Sequence, residues 1–331
     1  MGYVRFEKDW QFNGCRVLRL ESDLLRIDVL PELGGKIYHW IHKPTDRDFL
    51  WQHPRILPKV MPAGTNFDDN FSGGWDELFP NDRAGRHRDE FYPDHGEYWT
   101  QPFEWDARQA RGELTLHLWA EGCVTPTRME RWITLTAASP VVRMRYRLTH
   151  LGQHGFDYLW SIHPALAVGP QSQLVIPAGK GLIASPGYGR LTCEPLEFTW
   201  PNVPGSDGKT FDMSRIPVGV DVPGYEMVFL TELREGWYAH LDHATGGGFG
   251  MAFDQELFNT IWLFATHGGW RGLHTVIPEA ATGYPGDLAE AVEKGRCARL
   301  AAGQVIETET AVVVFTDKDR VEHISPDGVV A

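Results

Sequence analysis

Cysteine is scarce, and its spacing excludes more than it suggests. Cys15, Cys123, Cys193 and Cys297 lie far apart and no C-x-x-C pair occurs. A thiolate metal site or a dithiol redox centre therefore has no basis in the chain. The pattern fits free structural thiols in a reducing compartment and leaves one or two disulfides open. Long apolar runs are absent too. None reaches the roughly 18 residues that a membrane helix needs, and residues 1–20 hold no apolar run of signal length. A soluble, cytoplasmic protein is the expectation. Positive charge is in deficit, with 31 Lys and Arg against 44 Asp and Glu, a formal net charge of −13. That field repels nucleic-acid phosphates and anionic membranes, so neither is an expected partner.

Several signatures of cofactor and nucleophile chemistry also fail. Gly208-Lys209-Thr210 ends like a phosphate loop, but Val203 stands where the first glycine is required. Gly246-Gly247-Gly248 reads as a turn, without the strand-turn-helix context of a dinucleotide site. There is no H-E-x-x-H and no G-x-S-x-G. His240 and His243 fall in a strand and turn, where they would not share a face as metal ligands. No metal or cofactor is expected.

What is abundant is aromatic mass and turn residues: 13 Trp, 17 Phe, 35 Gly and 22 Pro in 331 residues. Many strands joined by tight turns are the natural reading. Leu25, Ile27 and Val29 alternate with polar residues, Pro31-Glu32-Leu33-Gly34-Gly35 breaks the pattern, and Lys36 to Trp40 resumes it, which predicts a hairpin. Alternation returns at 114–118, 133–135 and 142–148. The last strand interleaves Arg143, Arg145 and Arg147, a solvated row suited to acids on a neighbouring strand. Only one helix is predicted, capped by Asp287 with Leu288, Ala291 and Val292 on one face. Residues 51–92 lose all periodicity, as functional loops do. With no break in composition, the expected architecture is a single large antiparallel β domain over 1–331.

Three stretches concentrate titratable groups among apolar ones. Asp94-His95-Gly96-Glu97-Tyr98-Trp99-Thr100-Gln101-Pro102-Phe103 joins ionisable side chains to aromatics that suit the C–H faces of a sugar. His163 sits inside Trp160-Ser161-Ile162-His163-Pro164. Glu279 sits in Ile277-Pro278-Glu279-Ala280, where a buried carboxylate is costly unless paired or functional.

Taken in order with Pro31-Glu32-Leu33-Gly34-Gly35 and Trp262-Leu263-Phe264, these stretches resemble the aldose 1-epimerase (galactose mutarotase-like) family. The matched motifs are His95-Gly96, His163-Pro164 and Glu279-Ala280-Ala281-Thr282-Gly283-Tyr284-Pro285. The resemblance implies a large antiparallel β supersandwich, an isomerase that interconverts sugar anomers, and a small-molecule sugar as substrate. It implies Glu279 as catalytic base, His163 as catalytic acid and His95 as the sugar-holding histidine. Asp212 matches a sugar-binding aspartate and Arg83 a substrate arginine, although Asp82 interrupts the expected Asn-Arg pair. Ala280 and Glu97 depart from the pattern and imply a divergent branch, with Glu97 a candidate for substrate choice. Trp75, Trp99 and Phe103 are candidate stacking rings. A neighbouring Glu279 carboxylate is expected to raise the pKa of His163. The same residues suit a non-catalytic sugar-binding protein, or another sugar isomerase, epimerase or lyase on this fold.

Overall fold

A computed structural model describes residues 2–219 and 221–331. Two large antiparallel sheets dominate. The 14-stranded sheet runs Val4–Phe12, Cys15–Ser22, Leu25–Leu30, Lys36–His42, Trp75–Leu78, Ser161–Pro164, His274–Ala281, Thr260–His267, Glu226–Thr231, Lys180–Ile183, Glu197–Thr199, Asn202–Pro204 and Thr210–Asp212, with Arg47–Asp48 added beside Lys36–His42. The 8-stranded sheet runs Ser172–Val175, Trp237–Asp242, Gly247–Ala252, Val305–Phe315, Val141–His150, Thr127–Thr136, Glu113–Glu121 and Glu104–Ala110. The main apolar cluster draws on both sheets: Ile27, Trp40, Trp75 and Ile162 from the first, Leu116, Ile133, Met144 and Phe249 from the second.

Period-two patterning decides which side chains enter this core. Glu113–Glu121 alternates strictly, with Leu114, Leu116 and Leu118 fully buried. Across the solvent face of the same sheet, Arg143 pairs with Glu309 at 2.8 Å and Arg147 with Glu307 at 2.6 Å. The predicted hairpin is present, with Leu25–Leu30 paired to Lys36–His42. Gly34 takes φ 68° against the Trp99 backbone, where a Cβ would sit 2.6 Å from Trp99 Cα. Among the described residues Leu288–Glu293 is the only α-helix, and Asp287 accepts the Glu290 N–H at 2.9 Å as its cap.

Two features depart from expectation. The aperiodic region 51–92 contains Trp75–Leu78, a strand in the middle of the large sheet. It is buried on both faces, so it never alternates, and its Asp76 and Glu77 look like loop residues in the sequence. Their burial is made tolerable by partners. Asp76 pairs with Lys36, while Glu77 accepts from Arg131 at 3.1 Å, Tyr146 at 3.0 Å and Trp160 at 3.1 Å. Second, 158–164 reads as one strand in the sequence, but Tyr158 ends the short strand Phe156–Tyr158 and Ser161–Pro164 belongs to a different sheet. All four cysteines are unpaired.

Candidate functional site

Three adjacent strands bring the titratable groups together. Ser161 lies opposite Ala281 and Ile162 opposite Ala280, so the next step of the register sets His163 against Glu279. Side chains on one face of such a pair are near neighbours. Ile162, Val276 and Ala280 point into the core. Ser161, His163, Thr275, Ile277 and Glu279 take the other face, and all but Ser161 line a cavity of about 200 Å³. Ser161 Oγ donates to Glu279 Oε2 at 2.5 Å. On the other side of His163 its register partner is Asp76, whose carboxylate pairs with the buried Lys36 ammonium. Lys36 Nζ also donates to Gly73 O at 2.8 Å.

The second histidine arrives on a tight turn. His95 and Gly96 both take left-handed φ values, 58° and 76°. Gly96 is the residue that makes this possible, because a Cβ there would lie 2.2 Å from Phe79 O. The turn lays His95 flat on Phe67, with ring centroids 3.8 Å apart and planes 5° from parallel. His95 Nδ1 donates to Asp94 Oδ1 at 2.9 Å, and Nε2 lies 3.3 Å from Asp82 Oδ1. The His163 ring stands edge-on to it at 5.9 Å.

These neighbours set the charges. Burial alone would lower the pKa of His95, but Asp82, Asp94 and Asp68 lift it to about 9. His95 is thus an imidazolium at neutral pH. His163 moves the opposite way, well below its ordinary value, through burial and then the positive charges of His95 and Lys36. The carboxyl of Glu279 is pushed well above the usual range by burial and then by Asp82, with the Ser161 hydroxyl and His95 partly offsetting this. The expectation that Glu279 raises the pKa of His163 is therefore corrected: desolvation and two nearby cations dominate.

Of the predicted site residues, His95, His163, Glu279 and Arg83 line the one cavity. The others do not. Asp212 lies on the edge strand Thr210–Asp212, its carboxylate accepting from Ser214 N at 2.9 Å and Ser214 Oγ at 2.6 Å. Glu97 turns away from the cavity and accepts from Val124 N at 2.5 Å, Thr125 N at 3.2 Å and Thr125 Oγ1 at 2.5 Å. Trp75 is fully buried and stacks on Trp40 at 5.9 Å. Phe103 is buried in the core against Tyr98. Trp99 stands behind the wall, edge-on to Phe67 at 4.9 Å, with its indole N–H on Asp94 O at 2.9 Å.

The rings that do line the cavity are Phe67, Phe71, Tyr225, Phe264 and Trp270. Only Phe264 fell within a motif. Phe67 and Phe71 flank an Asp-Asp-Asn turn in the aperiodic region, and that aromatic pairing inside a polar loop was the available signal. Trp270 rides on the tip of the hairpin between Thr260–His267 and His274–Ala281. Beside it Arg271 reaches across the mouth, donating to Asp68 O and pairing with Asp69 at 2.9 Å. Asp68 and Asp82 also line the cavity and were missed as site residues.

No family model matches the chain, and no curated protein does. Solved structures do match. A "putative aldose 1-epimerase" from Klebsiella pneumoniae superposes with a TM-score of 0.72 at 13% identity, over 95% of this chain and 83% of that one. A galactose mutarotase-like protein from Clostridium acetobutylicum gives 0.71 at 10% identity, over 95% and 99%. The Slr1438 protein from Synechocystis gives 0.67 at 18% identity, over 96% and 100%. At these identities the likeness concerns architecture, and the chain has the galactose mutarotase-like fold.

Proposed function

We propose that the protein is an aldose 1-epimerase-type isomerase that equilibrates the α and β anomers of a free sugar. The observation that carries this reading is the convergence of His95, His163 and Glu279 on one cavity. They come from three separate segments, and nothing in core packing alone requires them to meet. Anomer exchange passes through the open-chain aldehyde. One group takes the proton of the C1 hydroxyl while another delivers a proton to the ring oxygen, and closure on the other face of the aldehyde reverses the transfers. Atoms balance without a redox partner or a covalent intermediate.

Glu279 and His163 suit this as a pair holding one proton between them. Burial moves the Glu279 carboxyl up and the His163 imidazole down, directions that favour the proton on Glu279 in this reading. Glu279 then serves as the donor in ring opening and His163 as the acceptor, the reverse of the roles the family resemblance implies. Both assignments occur over a full cycle, because the donor in one direction is the acceptor in the other. His95, cationic and clamped by two carboxylates, orients the sugar and supplies a fixed positive charge.

The test is anomer equilibration followed by polarimetry or exchange NMR across a sugar panel. Glu279→Gln should slow it by roughly 10²–10⁴-fold, the usual scale of one general acid–base group, with the fold retained. If no sugar equilibrates faster than in buffer, the reading fails. A full rate in Glu279→Gln removes that carboxyl from the mechanism.

A further inference from the structure

The residue that interrupts the expected Asn-Arg pair is the one the fold turns inward. Asn81 spends its amide on Arg83 O at 2.8 Å and Pro93 O at 2.7 Å. Arg83 is left exposed at the rim, its guanidinium without a partner among the described residues. Asp82, between them, is 9% exposed and lines the cavity. Apart from the ion pair with His95, at 3.3 Å, its carboxylate has no partner among the described residues. Gly286 packs hard against it, since a Cβ there would lie 2.3 Å from Asp82 Oδ2. The carboxylate is therefore held in place with acceptor capacity unused. A carboxylate offers about four acceptor sites, so the single His95 contact leaves room for a ligand donor.

We infer that Asp82 sets the charge of the ligand, so that the cavity takes sugars through hydroxyl or amino donors and rejects those carrying a phosphate or carboxylate. The rest of the lining agrees. Asp68 and Asp94 add two more acidic groups, against Arg83 at the rim and His95 inside. The His95 charge is already engaged by Asp82 and Asp94. Lys36, behind His163, is tied to Asp76. Among the described residues no other interior cation lines the cavity to meet an anionic substituent. His163 Nδ1, buried and without a partner, is a second polar atom in the wall that a ligand group can satisfy. A wall whose polar groups are satisfied only by the right ligand rejects the wrong one strongly.

This inference rests on reading the cavity as a sugar site, and the experiment separates the two. Binding of glucose, glucosamine, glucose 6-phosphate and glucuronate is measured by calorimetry or saturation-transfer NMR at low salt, and anomer exchange is recorded on the same samples. The wild type should bind the neutral and amino sugars at least about tenfold more tightly than the anionic ones, and Asp82→Asn should shrink that ratio to within roughly threefold. Asp68→Asn, at an exposed side chain, should shrink it as well, which keeps the test decisive if Asp82→Asn fails to fold. An anionic sugar that binds as tightly as glucose overturns the inference, as does an unchanged ratio in a folded Asp82→Asn or, failing that, in Asp68→Asn. Charge discrimination without anomer exchange ends the isomerase reading and leaves this one standing. Absence of binding by every sugar overturns both.

Discussion

His95 shows how much one side chain's neighbours decide. Asp82 and Asp94, with Asp68 nearby, convert a near-neutral group into a standing cation. With a folded pKa near 9 and an unfolded value near 6.5, the protonated form is favoured by folding. Its stabilising contribution is complete below the unfolded value and disappears as pH rises through about 9. On the linkage scale it is at most on the order of 3 kcal/mol. Urea midpoints of the wild type and His95→Gln should therefore differ most near pH 6, with the gap closing by pH 10. A constant gap would assign His95 a packing role alone. The identities of His95, His163 and Glu279 were legible in the sequence because each sits in a short motif. Their protonation states were not. Those depend on Lys36, Asp68 and Asp82, which reach the site only through tertiary structure.

Glu97 acts on the scale of the elements it joins. Its carboxylate ties the His95 turn to the connection between Glu113–Glu121 and Thr127–Thr136, accepting two backbone N–H groups and a hydroxyl there. Glu97→Ala leaves those donors buried and unsatisfied, at a cost of about 1–3 kcal/mol. A urea titration should show that loss. Loosening of the turn should lower kcat/KM for all sugars in parallel without changing their order; a changed order would restore Glu97 to substrate choice. Hairpins such as Leu25–Leu30 with Lys36–His42 were legible because alternation and turn chemistry agree over many residues. Trp75–Leu78 and Ser161–Pro164 were not separable in that way. Four-residue strands buried on both faces carry no period to read.

Across the whole molecule, the aromatic richness of the chain is spent more on the interior than on the ligand. Trp40, Trp75 and Phe249 form one contact group between the sheets. Trp75→Ala should cost about 3–5 kcal/mol, as for other large core truncations, and the denaturation midpoint reads it directly. A loss below about 1 kcal/mol would contradict the core assignment. The large antiparallel β architecture was legible from strand count and turn density, while the allocation of rings between core and cavity was not, since both uses favour the same residue types. The central pairing of Trp75–Leu78, Ser161–Pro164 and His274–Ala281 has a further consequence. A nascent chain that has reached residue 270 already holds both histidines and Asp82, but no carboxyl at the position of Glu279. Joining strands so distant in sequence is entropically slow. On the proposed reading, the proton-transfer pair is complete only once His274–Ala281 has joined the two earlier strands.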